Sequence, residues 1–164
     1  MRVAGDKITE SIASFLKQKH SLIIGEKTSE DVKLTIGSAH QSFSGEISQI
    51  EVCGLNCQTG LPQSITVTSA EACEAIQEPL RFINDAIKKV LDNVPPELAA
   101  DVYTNGIVLA GGGALIPGIS ELIAESTGLR TMVANDPLHC VVNGCGEVVE
   151  SWEEYKHCVS QHDV

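Results

Sequence analysis

Apolar side chains recur along most of this chain at the three- and four-residue spacing of amphipathic helices. The longest such pattern covers residues 71–93, and a capping box formed by Thr68 and Glu71 opens it. Pro79 lies inside this pattern and has no backbone N–H, so we expect the helix to kink or break there. The other predicted helices cover residues 6–19, 28–36, 97–102, 115–127 and 137–150, with Asp6, Thr28 and Asp136 as expected N-caps of the first, second and last.

Short runs of alternating or continuous apolar residues predict the strands. Alternation in residues 49–53 and 64–68 predicts a hairpin within residues 40–68. Ile107–Ala110 and Thr131–Ala134 lie between predicted helices, and the first has the composition of a buried parallel strand. We therefore predict an α/β fold, with a mixed sheet packed against the 71–93, 115–127 and 137–150 helices and the valines of the last helix buried. The hairpin and the 29–36 helix are expected to form a small separate lobe.

Three consecutive glycines, Gly111, Gly112 and Gly113, directly follow the predicted strand at Ile107–Ala110. Because glycine has no Cβ, this turn can adopt positive φ, and a sugar or phosphate can approach its main chain closely. The stretch matches neither G-x-G-x-x-G nor the P-loop pattern G-x-x-x-x-G-K-[ST]. From these residues alone, a tight structural turn and a ligand-binding turn are both open.

Glu30 and Lys33 lie on one face of the predicted 28–36 helix, because they are three residues apart. Taken by itself, this spacing favours an ordinary surface ion pair, which contributes little to stability. A binding role for the pair needs support from the rest of the chain.

Charge and composition exclude several classes of function. The chain has 164 residues and a formal net charge of −11, which argues against nucleic acid as a partner because phosphates attract basic surfaces. No apolar run approaches the roughly 18 residues of a membrane-spanning helix, and the first residues do not resemble a signal peptide. The six cysteines form no C-x-x-C motif, so we expect reduced cytoplasmic thiols rather than a metal site.

The first residues resemble the end of a strand, since Arg2–Ala4 lead directly into a predicted helix. A compact domain seldom begins inside an element, so we expect the chain to be a fragment. Missing strands would leave apolar sheet surface uncovered, and large apolar patches favour association. We therefore expect poor solubility or self-association of the isolated chain.

Several motifs occur in a distinctive order. The chain runs from AGD through an E-x-x-K helix, a hairpin and PPELAAD to G-I-V-L-x-G-G-G-A-L and D-P-L-x-C-V-x-x-G-x-G. From Arg2 to about Glu150 this order resembles the MreB family of bacterial actins, in the actin and heat-shock-chaperone ATPase superfamily. The family's phosphate-binding hairpins, with D-x-G-T and D-x-G-G-G-T patterns, do not occur in this sequence. Glu147 stands where the family commonly has a lysine.

The resemblance implies the C-terminal lobe of an actin-like (ribonuclease H-like) ATPase fold over residues 1–150. Residues 28–68 would form a small inserted α+β subdomain, and residues 151–164 a polar tail. The implied function is that of a cytoplasmic, membrane-associated cytoskeletal protein that forms filaments and takes part in bacterial cell-shape determination. Its implied partners are further copies of itself, the membrane and the cell-wall elongation machinery.

The resemblance also implies an ATP site, with Mg²⁺ in the complete protein. This chain would contribute a wall on the adenine and ribose side and an adenosine-binding turn. The wall consists of Glu30, Asp31, Val32 and Lys33, and the turn consists of Gly111, Gly112, Gly113 and Ala114. The stem of Lys33 is expected to flank the base while its ammonium stays in water. The family's catalytic groups belong to the missing hairpins, so we do not expect this chain alone to hydrolyse ATP.

Two other functions stay open at this point. One is a fragment of a sugar or acetate kinase on the same fold, which would need a catalytic aspartate and a substrate pocket. The other is a non-catalytic interaction module from a truncated gene, which would bind complete subunits without turning over ATP.

We predict that all six cysteines are free thiols in the native protein. Thiol titration under denaturing, non-reducing conditions should therefore find six per chain. A count lower by two would reveal a disulfide and contradict the prediction.

Overall fold

A computed structural model describes residues 5–40 and 49–157 of the chain. The helices of this part are α1 Gly5–His20, α2 Glu26–Ile36, α3 Ser69–Leu91, α4 Pro96–Asn105, α5 Ile119–Thr127, α6 Cys140–Glu150 and α7 Trp152–Tyr155. The strands are β1 Leu22–Ile23, β2 Gln49–Asn56, β3 Pro62–Thr68, β4 Ile107–Leu109 and β5 Thr131–Val133. Residues 2–4, where a strand end was predicted, and residues 41–48 of the hairpin region lie outside the described part.

The predicted hairpin is confirmed and belongs to a three-stranded antiparallel sheet in the order β1-β2-β3. β2 and β3 pair from Gln49 opposite Thr68 to Leu55 opposite Pro62. β1 was not predicted, because its two residues are too few to show a periodicity. Where β2 pairs with β1, a Cβ on Gly54 would lie 2.4 Å from the carbonyl oxygen of Ile23, so only glycine fits there.

The glycine turn follows a second sheet, in which β4 and β5 are parallel. Both strands were predicted, but the expectation that the first is buried is wrong. Val108 in the middle of β4 is 60% exposed. Within the described residues this sheet has two strands, so β4 is an edge strand with one face uncovered.

The hydrophobic core lies where α1, α2 and α3 pack against the three-stranded sheet. Its largest fully buried side chains are Ile8, Ile12, Leu16, Leu22, Ile76 and Leu80. Ile119 and Ile123 of α5 belong to the same cluster. The prediction that α2 and the hairpin form a small separate lobe is therefore wrong, because their apolar faces share one core with α1 and α3. The assignment of residues 28–68 as an inserted subdomain stays a prediction.

A kink or a break was predicted at Pro79; α3 is one continuous helix, so the break does not occur. Pro79 is buried together with its neighbours Ile76 and Leu80, and this packing outweighs the loss of one backbone hydrogen bond. The capping box at the start of α3 is confirmed. Thr68 Oγ1 accepts from the Glu71 N–H, and the Glu71 carboxylate accepts from the Thr68 N–H.

The three predicted N-caps at Asp6, Thr28 and Asp136 are wrong. α1 begins at Gly5, before Asp6, and α2 begins at Glu26 with Gly25 as its cap. α6 begins at Cys140, so Asp136 and Pro137 lie in the turn before it. Each of these polar residues can cap a helix, but each is equally compatible with a first turn or a preceding loop.

The helix predicted over residues 115–127 is divided. A short 3₁₀ helix covers Gly112–Leu115, and α5 starts at Ile119 after Pro117 and Gly118. Gly118 has φ of 79°, a left-handed conformation that separates the two helices. The predicted last residues of these two helices, 36 for α2 and 127 for α5, are confirmed, and Gly37 and Gly128 follow as their C-caps.

The prediction that α6 buries its valines is wrong. Val141, Val142 and Val149 are largely exposed. Together with Val108 and Leu138 they leave apolar surface uncovered, as a fragment was expected to do. Self-association of the isolated chain stays a prediction. Among the described residues, no helix combines the length and apolar character required to cross a bilayer.

The capping glutamate also carries the clearest electrostatic effect in the fold. Glu71 Oε1 lies 2.9 Å from His20 Nε2, which joins the start of α3 to the end of α1. Burial by itself raises the pKa of Glu71, but hydrogen bonds from Thr68 and His20 outweigh it and lower the pKa to about 2.

We predict that the chain loses stability as pH falls from about 4.5 to about 2, the unfolded and folded pKa values of Glu71. The folded pKa is the lower one, so the stabilisation is present above this range and disappears within it. The loss attributable to Glu71 is on the order of 3 kcal/mol. Urea unfolding at several pH values measures it in the native chain and in Glu71→Gln.

The matched control is Glu74→Gln, which removes an exposed glutamate one turn along the same helix. The Glu74 variant should keep the acid dependence, whereas the Glu71 variant should lose most of it. Equal acid dependence in the native chain and Glu71→Gln would contradict the prediction.

Candidate functional site

A closed ring of hydrogen bonds joins the predicted wall residues of α2 to α1. Lys33 Nζ donates to Glu30 Oε2 across one turn of α2. Thr9 Oγ1 of α1 donates to the same carboxylate oxygen over 2.7 Å. Lys33 Nζ also lies 3.2 Å from Thr9 Oγ1 and donates to it. Each of the three side chains is therefore bonded to the other two.

The ring changes the role expected of Lys33. Its side chain is only 11% exposed, and its ammonium is bonded to Glu30 and Thr9. The expectation that this ammonium stays in water beside a base is therefore wrong for this structure. Lys33 instead holds the Glu30 carboxylate in place.

Glu30 is the member of the ring that solvent can reach, with 41% of its side chain exposed. Hydrogen bonds from Lys33 and Thr9 lower the pKa of Glu30 below its ordinary value, against a smaller opposing effect of burial. Both hydrogen bonds end on Oε2, and Oε1 accepts none from the described residues. An ionised carboxylate with one free oxygen can accept a hydrogen bond from a ligand donor but cannot donate one.

The other two predicted wall residues differ in solvent exposure. Asp31 is exposed, while the side chain of Val32 is buried in the core. Only the backbone of Val32 can therefore contact a ligand. An open pocket of about 420 Å³ lies over this part of α2, lined by Asp6, Thr9, Glu26, Lys27, Glu30, Asp31 and Lys33.

The glycine turn is fixed at one end and open in its middle. Gly111 has φ of 84°, and its N–H donates to the carbonyl oxygen of Pro137 over 2.6 Å. Its own carbonyl accepts from the Ala114 N–H. Gly112 and Gly113 are exposed, and their N–H groups find no acceptor among the described residues. Ala114 is buried, so its side chain anchors the turn.

Packing among the described residues does not explain why Gly112 and Gly113 are glycines. A Cβ on Gly112 would meet only Leu138 Cδ2, at 3.6 Å, and one on Gly113 would meet nothing within 4 Å. By contrast, a Cβ on Gly106 would lie 2.2 Å from the carbonyl oxygen of Arg130. Gly111 is needed for its positive φ. Its two successors present bare main chain to open space.

The two parts of the candidate site lie on segments that are bonded to each other. The Ala39 N–H, just beyond α2, donates to the carbonyl oxygen of Pro117 over 2.8 Å, just beyond the turn. Ser38 Oγ lies 3.3 Å from the same oxygen. No hydrogen bond joins Glu30 or Lys33 directly to Gly111–Ala114 within residues 5–40 and 49–157.

Sequence reasoning missed Thr9 and the hydrogen bond from the Gly111 N–H to the carbonyl oxygen of Pro137. Nothing in the sequence places a threonine of α1 against a glutamate 21 residues later, because that contact depends on how two helices cross. Among the described residues, no group of histidine, cysteine and carboxylate side chains could hold a metal ion. The described cysteines Cys53, Cys57, Cys73, Cys140 and Cys145 are free, and Cys158 lies outside the described part.

Comparison with solved structures defines the class of protein as actin-like. The crystal structure of MreB 5 of Spiroplasma citri bound to AMPPNP superposes with a TM-score of 0.89 at 31% identity, over 96% of this chain and 46% of that one. A MamK double helical filament gives a TM-score of 0.73 at 20% identity, over 92% of this chain and 45% of the other, which supports the fold alone.

The chain belongs to the MreB/Mbl protein family, whose model matches residues 1–157. It is 42% identical to the cell shape-determining protein Mbl of Bacillus cereus over 92% of this chain and 45% of that protein. It is equally similar to the cell shape-determining protein MreB of Escherichia coli, covering 43% of it. The chain thus spans less than half the length of these relatives. The predicted resemblance and fold class are confirmed, and the sugar or acetate kinase alternative has no support.

Proposed function

We propose that this chain forms the adenosine side of an ATP site in a filament-forming protein of bacterial cell-shape determination. The observation that carries the proposal is the bare main chain at Gly112 and Gly113, which packing against residues 5–40 and 49–157 does not require. The structural relatives described as MreB 5 of Spiroplasma citri bound to AMPPNP and to ADP support it.

The two parts of the site have complementary chemistry. Free N–H groups at Gly112 and Gly113 suit the oxygen atoms of a sugar or an α-phosphate. Glu30 is ionised, so its free Oε1 suits a hydroxyl or amino donor and repels phosphate. A nucleotide would therefore bind with its ribose or base towards α2 and its phosphates away from it. Asp31, the Val32 backbone and Lys33 would complete the wall, and Ala114 would support the turn.

Binding and hydrolysis are separable in this proposal. Phosphoryl transfer needs Mg²⁺ on the β- and γ-phosphates and an oriented water molecule. The family's hairpins that supply these groups do not occur in this sequence. The chain alone would bind nucleotide weakly, with Kd on the order of 1 mM or about −4 kcal/mol, and would not hydrolyse ATP. Mg²⁺ would be bound only where those hairpins are present.

Assembly and location are proposed by family membership. Relatives of this fold include MamK filaments, and we propose that a protein containing this chain associates into filaments in the cytoplasm. Contact with the membrane and the cell-wall elongation machinery belongs to the same proposal.

We predict that Gly112→Val abolishes nucleotide binding, because its side chain would fill the space that a ligand uses. The measurement is a titration of ¹⁵N-labelled chain with AMPPNP to several millimolar, followed by amide chemical shifts. In the native chain the shifts should concentrate at Gly111–Ala114 and along α2. Lys33→Ala should weaken binding less, since it acts through Glu30.

The matched control is Gly144→Val, which adds the same side chain at an exposed helical glycine whose Cβ would meet nothing within 4 Å. This variant should bind like the native chain, and the spectra of all variants verify their folding. If Gly112→Val binds AMPPNP as the native chain does, the turn is structural and the proposed function is wrong.

A further inference from the structure

Thr9 occupies an unusual position for a hydroxyl group. It lies on the core-facing side of α1, between Ile8 and Ile12, and is only 4% exposed. A buried hydroxyl without a partner would be costly, so its hydrogen bonds are part of the packing. Its oxygen lies 2.7 Å from Glu30 Oε2, 3.2 Å from Lys33 Nζ and 3.0 Å from the carbonyl oxygen of Gly5.

The donor and acceptor roles within the ring follow from its chemistry. The Lys33 ammonium can only donate, so the Thr9 oxygen accepts from it. The single hydroxyl proton of Thr9 is then available to the carboxylate of Glu30, its shortest contact. Thr9 and Lys33 thus both donate to Oε2, and Oε1 accepts no hydrogen bond from the described residues.

We propose that Thr9 is a positioning residue that orients the Glu30 carboxylate, so that Oε1 alone is presented to a donor group of a ligand. The consequence for nucleotide rests on the proposed function, in which that donor belongs to the ribose or the base. Lys33 alone could hold the carboxylate, but through a single long side chain. Thr9 adds a hydrogen bond from a short, buried side chain of a second helix, and this second bond restricts rotation of the carboxylate.

The pockets beside Glu30 contain many carboxylates. The charged groups that line the two adjoining pockets are Asp6 and Glu10 of α1 and Glu26, Lys27, Asp31 and Lys33 of α2. Four of these six are carboxylates, and the groups that lower the pKa of Glu30 are Lys33, which has the larger effect, and Thr9. The hydroxyl of Thr9 is therefore the second donor to Glu30, after the Lys33 ammonium.

The test compares Thr9→Val, which keeps the shape and removes the hydroxyl, with Thr9→Ser, which keeps the hydroxyl. The first readout is the pKa of Glu30 from carboxyl ¹³C shifts without nucleotide, assigned with Glu30→Gln. It should rise in Thr9→Val and stay near the native value in Thr9→Ser. The second readout is the Kd for AMPPNP, which should weaken about three- to tenfold in Thr9→Val, as expected for one lost hydrogen bond.

Ser29→Ala is the matched control. It removes another buried hydroxyl of the same region, one that donates to the carbonyl oxygen of Gly25 and forms no hydrogen bond with the Glu30 side chain. This variant should leave the pKa of Glu30 unchanged even if it destabilises α2.

The inference is overturned if Thr9→Val leaves the pKa of Glu30 unchanged, or if Thr9→Ser fails to restore it. It is also overturned if the pKa moves while the Kd for AMPPNP stays the same, because Thr9 would then not serve the ligand. Failure of the native chain to bind AMPPNP refutes the proposed function instead, and the pKa comparison still decides whether Thr9 positions Glu30.

Discussion

The buried apolar stripe of α1 is the contact on which the rest of the structure depends. Ile8, Ile12 and Leu16 are essentially inaccessible to solvent and pack against α2, α3 and the three-stranded sheet. Each such side chain stabilises the fold by roughly 1.5–3 kcal/mol through burial. The same packing brings Thr9 against Glu30 and His20 against Glu71. One apolar face therefore sets both the capping network of α3 and the polar ring of the candidate site.

The candidate site is supported unequally on its two sides. On α2, every atom that positions the Glu30 carboxylate belongs to a buried or nearly buried group. At the glycine turn, the support comes from the Pro137 carbonyl and from buried Ala114, while Gly112 and Gly113 remain bare. The chain also carries a formal net charge of −11, which disfavours a triphosphate far more than a neutral nucleoside. This arrangement suits recognition of the adenosine part of a nucleotide.

Local patterns allowed much of the fold to be predicted from the sequence. The hairpin, the capping box, β4, β5 and the glycine turn each have a signal within a few residues. Burial was predicted less well, since Val108 and the valines of α6 have core-like sequences but no neighbouring element to cover them. The predicted break at Pro79 does not occur, because tertiary packing outweighed the tendency of proline to interrupt a helix.

The candidate site was likewise predicted only in part. The sequence pattern identifies Gly111–Ala114 and the pairing of Glu30 with Lys33, because turn chemistry and helical spacing are local properties. Thr9 and the free Oε1 of Glu30 depend on the crossing of α1 and α2, which no periodicity encodes. The burial of Lys33 depends on the same crossing and could not be foreseen from its spacing.

We infer that this chain recognises the adenosine part of a nucleotide. The most direct test is to titrate the two parts of the nucleotide separately. Labelled chain is titrated with adenosine and, separately, with tripolyphosphate at matched ionic strength, and amide shifts are compared with those caused by AMPPNP. We predict that adenosine reproduces the shifts at Gly111–Ala114 and along α2, while tripolyphosphate produces none along α2. Shifts at the glycine turn with tripolyphosphate but not with adenosine would contradict it.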